Sequence, residues 1–321
     1  MKSNYRYIVK AFMAMAVIAG TTSCDDFLDR EPMSSISPET YYSTAAQLEA
    51  NLNDEYPNVL PSFGQWTYGI FGEDKGTDNQ IEVNANDRYT QDRWKVPHSE
   101  SDNWKFERIY RINFFLSEAL PKFGEDMSGS QNTISGSVAT IKHYIGEMYF
   151  LRAYEYFKKL QLFGDFPIIN QPLADEMEAL REASKRFPRN EVARFIISDL
   201  DKAYAYMSDV DMATTRINKD VAMLVKSRVA LFEATWLQNF KGTAFVPGGE
   251  GWPGASLHNN YQYPSGNIDN EVKYFLEQAV EASKLVADKY KGSLTENTGV
   301  LQQSADDPSN PYFDMFAQEE L

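Results

Sequence analysis

Three histidines, His98, His143 and His258, and a surplus of carboxylates are the side chains here that could do covalent chemistry. His143 and Glu147 stand four apart, on one face of a helix. H-x-x-x-E nevertheless lacks the second histidine of a zinc-protease helix, so the pair is expected to make a structural hydrogen bond. No G-x-S-x-G elbow and no phosphate-binding G-x-x-x-x-G-K run occurs. With 46 Asp and Glu among 321 residues, carboxylate pairs arise by chance, and none is singled out as a glycosidase acid and base. The expectation is a protein that is not an enzyme, with no catalytic residue, no metal site and no cofactor.

Non-covalent binding has better material. A sugar offers apolar C–H faces and many hydroxyls, which suit aromatic platforms flanked by Asn, Asp and Arg. FGQWTYGIFGEDKGTDNQ (63–80) and NANDRYTQDRW (84–94) supply that mixture, with Trp66, Tyr68, Asp74, Asp78, Arg88, Tyr89 and Trp94 as candidate ligand contacts. The bland reading is that Trp66 and Trp94 pin a long loop to the helices, since large rings are mostly buried. A second Gly/Pro-rich stretch, VPGGEGWPGASLHNNYQYPSGN (246–267), carries Trp252, Tyr261 and Tyr263 as secondary rim candidates, with loop packing as their alternative role.

Cys24 is the only cysteine, so neither an internal disulfide nor a C-x-x-C pair is available. Lys2, Arg6 and Lys10 precede AFMAMAVIAG (11–20), and ten residues rise only about 15 Å as a helix, half of a membrane core. The combination fits an export leader. TTSC (21–24) resembles a bacterial lipobox, with Thr21 where leucine is usual, which makes Cys24 the expected lipidation site. Three acyl chains would hold the chain at a membrane, each buried CH₂ contributing about 0.8 kcal/mol. Asp25, Asp26 and Asp29 then start an acidic tether. The expected organisation is a signal peptide over 1–23, a tether over 24–36 and a helical domain over 37–321.

The elements that must position these side chains are helical. S-P-E-T (37–40) predicts a helix start with Ser37 as N-cap, running to about Val59. S-E-S-D (99–102) predicts a capping box opening a helix to about Lys122. Further helices are expected over about 140–163, from an Asn190 cap, from an Asn218 cap through 221–237, and over about 271–290. Val192, Phe195, Ile196, Leu200, Ala203, Tyr204 and Met207 recur at spacings of three and four. Tyr149, Phe150, Tyr154, Tyr156, Phe157 and Phe163 have helical spacing and are expected in the core. Arg152 among them needs a carboxylate or carbonyl partner. No run of strand-like alternation appears, so the class is all-α with long irregular loops. I-G-E-M-Y (145–149) loosely fits a tetratricopeptide motif, consistent with helical pairs in a superhelix. The balance of 31 Lys and Arg against 46 Asp and Glu leaves a net charge of −15, which repels phosphate backbones and argues against nucleic acid.

Several stretches together resemble the SusD/RagB family of surface glycan-binding lipoproteins. They are SCDDFLDREP (23–32), DNWKFERIYRIN (102–113) with Trp104, Tyr110 and Asn113, and GEMYFLRAYEYFKKLQLFGDFPII (146–169) with its G-D-x-P loop. RFPRNEVARFIISDLDKAYAYM (186–207) and TTRINKDVAMLVKSRVALFEATW (214–236) complete the set. The resemblance implies a mostly helical, tetratricopeptide-like fold at the outer membrane, lipid-anchored and surface-exposed. It further implies an oligosaccharide or other nutrient ligand, and a SusC-like TonB-dependent transporter over which the protein sits as a lid. It makes Asp74 or Asp78, Arg88 and Trp94 the positional matches to a family acid, arginine and tryptophan. Family members continue past this length, so the chain looks like an N-terminal portion. The rival expectation is a helical-repeat scaffold lipoprotein that binds only protein.

Overall fold

The computed structural model describes residues 41–61, 80, 103–124, 126–208, 212–213 and 215–294. Cys24, the leader, the tether and the loop candidates Trp66, Tyr68, Asp74, Asp78, Arg88, Tyr89 and Trp94 lie outside the described residues. Among the described residues are seven α-helices, one short 3-10 turn and no strand. The helices are α1 (Ala45–Val59), α2 (Glu107–Phe123), α3 (Val138–Phe163), α4 (Met177–Ala183), α5 (Arg189–Tyr206), α6 (Lys219–Asn239) and α7 (Ile268–Tyr290). The all-α class expected from the sequence is the class observed.

α3 is the central element, because its apolar residues occupy every face. Ile141, Ile145, Met148, Leu151, Tyr156 and Leu160 are all sealed from solvent. Each such burial contributes about 1.5–3 kcal/mol against leaving the side chain in water. Tyr149, Phe150 and Phe157 are buried with them, whereas Tyr154 and Phe163 are half-buried. Four helices pack in series as antiparallel neighbours, and the cross-links fix their directions. Arg152 of α3 meets Asp199 of α5; Arg189 and Asp201 of α5 meet Glu233 and Lys226 of α6; Asp220 and Lys241, at the two ends of α6, meet Lys289 and Asp269 of α7. Gly146 permits a close approach of α3 to the end of α5, since a Cβ there would lie 2.8 Å from Met207 N and 2.9 Å from Ala203 O.

Helix starts differ from the sequence expectation in three places, each for a local reason. α1 begins at Ala45, where Tyr42 adopts φ 50° and Thr44 forms a reciprocal capping box with Gln47, while the expected cap Ser37 lies outside the described residues. α2 begins at Glu107 rather than at 102, with no side-chain cap. α5 begins at Arg189 after Pro188, so Asn190 lies inside the helix. Freed from capping, the Asn190 amide donates to Glu271 Oε1 at 3.0 Å and to Tyr261 Oη at 2.9 Å. Ser137, Asn218 and Asn267 do cap α3, α6 and α7. The seven-residue α4 buries none of its side chains, which is why no apolar stripe announces it.

Candidate functional site

The loop joining α6 to α7 folds back over the start of α5 and the turn that ends α3, and a cleft of ≈ 660 Å³ opens between them. Local chemistry sets each wall. α3 stops at Gly164, whose φ of +66° favours glycine. The next residue, Asp165, becomes a hub for three segments. Its Oδ1 accepts from the backbone N–H of Arg189, an unpaired donor of the first turn of α5. Its Oδ2 accepts from Trp252 Nε1 at 2.7 Å. Burial pushes the Asp165 carboxyl above its ordinary range, and those two hydrogen bonds oppose the shift. Phe166 and Phe187 exchange backbone hydrogen bonds, tying the turn to the approach of α5.

Arg189 enters from the first residue of α5. Its Nε and Nη2 clamp Glu233 of α6 at 2.8–3.1 Å, and its guanidinium lies 4.1 Å from the Trp236 ring centre. Arg186, three residues earlier and exposed, sits 4.6 Å over the Trp104 ring. Trp236 donates its indole N–H to Phe245 O at 3.1 Å, which brings the ring of Phe245, 61% exposed, to the rim. Leu162 and Leu257, both exposed, add apolar edges. Gly254 rests on the Trp252 ring, where a Cβ would come within 2.2 Å.

The secondary rim candidates occupy distinct positions around this cleft. Trp252 lines it, although the residue is only 5% exposed and its N–H is committed to Asp165. Tyr261 and Tyr263 lie behind the wall. The Tyr261 hydroxyl exchanges hydrogen bonds with Asn190, and the Tyr263 hydroxyl donates to Pro247 O at 2.6 Å. Burial pushes both phenols upward. His258 Nε2 donates to Arg186 O, 2.7 Å away, and the ring stacks beside Trp252.

Most of the remaining buried charges are satisfied within the fold, while Glu55 Oε2 accepts no hydrogen bond among the described residues. Arg152 donates to Asp199 at 2.6 and 2.8 Å, to Asn113 Oδ1 at 2.9 Å and to Asn170 O at 3.2 Å. His143 Nε2 lies 3.0 Å from both Glu147 Oε1 and Ile217 O. Glu147 is also clamped by Arg216 and accepts from Tyr56. Sequence reasoning did not single out Asp165, Arg186, Arg189, Trp236 or Phe245 as site residues. The available signals were a basic pair flanking Pro188 and an aromatic run at 232, 236, 240 and 245, both distant in sequence from G-D-F-P.

Residues 26–231 match the SusD-like family described as "Starch-binding associating with outer membrane". Two SusD-like proteins of Formosa agariphila are each 25% identical to this chain, over 253 and 233 residues. These regions span 75% and 67% of the chain but 46% and 41% of the relatives. The chain thus spans less than half the length of the curated relatives it matches. A SusD-like carbohydrate binding protein from Bacteroides vulgatus aligns with 80% of this chain and 47% of its own, at 14% identity and TM-score 0.43. A SusD-like protein from Bacteroides fragilis aligns with 66% and 39%, at 17% identity and TM-score 0.40.

Proposed function

Because the chain belongs to the SusD-like family of starch-binding proteins that associate with the outer membrane, we propose that it is a cell-surface glycan-binding lipoprotein. It captures oligosaccharides and hands them to a SusC-like TonB-dependent transporter, with no bond made or broken. The observation that carries this reading is the family match over 26–231, which covers well over half of the chain. Cys24 is the lipid attachment point, and Trp66, Tyr68, Asp74, Asp78, Arg88, Tyr89 and Trp94 are the proposed first contacts to the sugar. Aromatic stacking gives affinity that tolerates many pyranosides, and the polar groups select orientation.

The test is calorimetric titration of the full chain against a panel of neutral and charged oligosaccharides. Trp66→Ala and Trp94→Ala are expected to weaken binding, because stacking of a sugar's C–H face on the indole is lost with the ring. Intact binding in both variants would remove this loop from the ligand site. Fractionation of cells carrying Cys24→Ala is expected to release the protein from the membrane fraction, and continued membrane attachment would refute the anchor.

A further inference from the structure

The cleft beside the 164–166 turn holds a cation edge that the protein itself leaves unused. Arg189 is only 3% exposed, and Nε and Nη2 are spent on Glu233. Its Nη1 makes no hydrogen bond among the described residues. The neighbour on that side is Gly164, where even an added Cβ would stand 3.5 Å from Nη1. That is ordinary van der Waals contact, so the glycine leaves the Nη1 edge open toward the cleft. Both residues line the cleft. Arg186, on the same cleft, lies over Trp104 and pairs with no carboxylate among the described residues.

Two of the acceptors nearby are already engaged. Asp165 receives Trp252 and Arg189 N–H groups, and Phe245 O receives the Trp236 N–H. The charged groups with open hydrogen-bonding capacity are donors, Arg189 Nη1 and the Arg186 guanidinium, above apolar walls from Trp236, Phe245 and Leu257, with the exposed Gln161 amide beside them. A neutral sugar hydroxyl offers an acceptor but brings a proton that needs its own acceptor. A carboxylate or sulfate brings only acceptors and meets planar guanidinium groups in a fitting geometry. The volume of ≈ 660 Å³ lies within the range of small-molecule sites. The chain's net charge of −15 opposes anions at long range, but that field is screened within about 8 Å at physiological salt. Recognition must then be local.

We propose that this cleft binds an oxyanion carried on a sugar ring, a uronate carboxylate or a sulfate ester, with Arg189 Nη1 and Arg186 as donors and Trp236 and Phe245 flanking the ring. The proposal rests on the glycan-binding reading and gives it a second site with a ligand class. The test uses the full chain, titrated with trigalacturonate, a sulfated carrageenan tetrasaccharide, neutral maltotriose and inorganic sulfate. At least one of the two charged sugars is expected to bind tenfold or more tighter than maltotriose and than free sulfate, and to weaken as salt is raised. Arg186→Gln, on an exposed side chain, is expected to lower that affinity about tenfold. Arg189→Lys keeps the positive charge for Glu233 but loses Nη1, and is expected to lower it similarly while the circular dichroism spectrum is unchanged. If Arg189→Lys fails to fold, Arg186→Gln alone decides. Charged-sugar binding lost in Trp94→Ala but intact in Arg186→Gln would overturn this site while leaving the glycan reading standing. Equal affinity for inorganic sulfate, or equal affinity for maltotriose, would overturn it as well. No binding of any sugar would overturn both.

Discussion

Replacing Arg152 by methionine is the sharpest probe of how the helices are held in register. Methionine matches the arginine stem in length and apolar character, so the chief loss is the guanidinium. Four hydrogen bonds go with it, two to Asp199 and one each to Asn113 and Asn170. Asp199 has no exposure to solvent, and the other cation within reach, Lys202, is 3.8 Å away and 43% exposed. A buried carboxylate is then left almost uncompensated. Breaking a buried pair in this way costs about 3–5 kcal/mol. For a body of this size that lowers Tm by about 6–20 °C, at roughly 2–4 °C per kcal/mol. The pair itself has a different worth, because both ions lose hydration on burial. Arg152→Met combined with Asp199→Asn removes both charges and is expected to cost at least 1 kcal/mol less than the sum of the two single changes. Urea unfolding of the four proteins, followed by circular dichroism at constant slope, measures the coupling. Single and double losses that add to within about 0.5 kcal/mol would refute the account of Asp199 as a stranded charge.

Three further outcomes follow from contacts of the same kind. Glu271 is sealed from solvent; burial pushes its carboxyl up, but Arg194, Asn190 and Ser265 outweigh that and hold it below its ordinary range. A depressed carboxyl contributes stability that is fully present above the unfolded value of about 4.3 and is lost as pH falls through the folded one. Urea midpoints measured from pH 6 to pH 3 should therefore fall less steeply in Glu271→Gln. Gly146→Ala gains about 1 kcal/mol of helix propensity but drives a methyl against Met207 N and Ala203 O. A net loss of about 1–3 kcal/mol is expected, and a stabilised variant would contradict the close α3–α5 approach. Trp252→Phe keeps the ring and removes the donor to Asp165 Oδ2. Its expected cost is about 1–3 kcal/mol for an unsatisfied buried acceptor, read from thermal unfolding.

The helices were legible because their apolar stripes are local patterns. The recurrence of Val192, Ile196, Leu200 and Ala203 along α5 is also its buried face. The starts were less so, since a cap depends on which of several polar residues wins. Asn218 did cap α6, while Asn190 was diverted to Glu271 and Tyr261, contacts 81 and 71 residues away. On α7 the buried apolar face is narrow, marked by Phe275, Ala279, Ala282 and Val286, and it leaves Leu276 37% exposed. The cleft was illegible for the same reason as Asn190. Asp165 gathers its partners from positions 24 and 87 residues distant, and no spacing rule links them. Arg152, by contrast, announced its need for a partner through its place in an apolar helix, and left open whether a carboxylate or a carbonyl would supply it; Asp199 and Asn170 O both do.

Everything functional depends on the chain recognising a carbohydrate surface. Affinity electrophoresis through native gels cast with starch, pectin, carrageenan or no polysaccharide tests that directly. The expected result is retarded migration in at least one polysaccharide gel relative to a non-binding control protein. Unchanged mobility in all of them, from a chain that still unfolds cooperatively in urea, would contradict it.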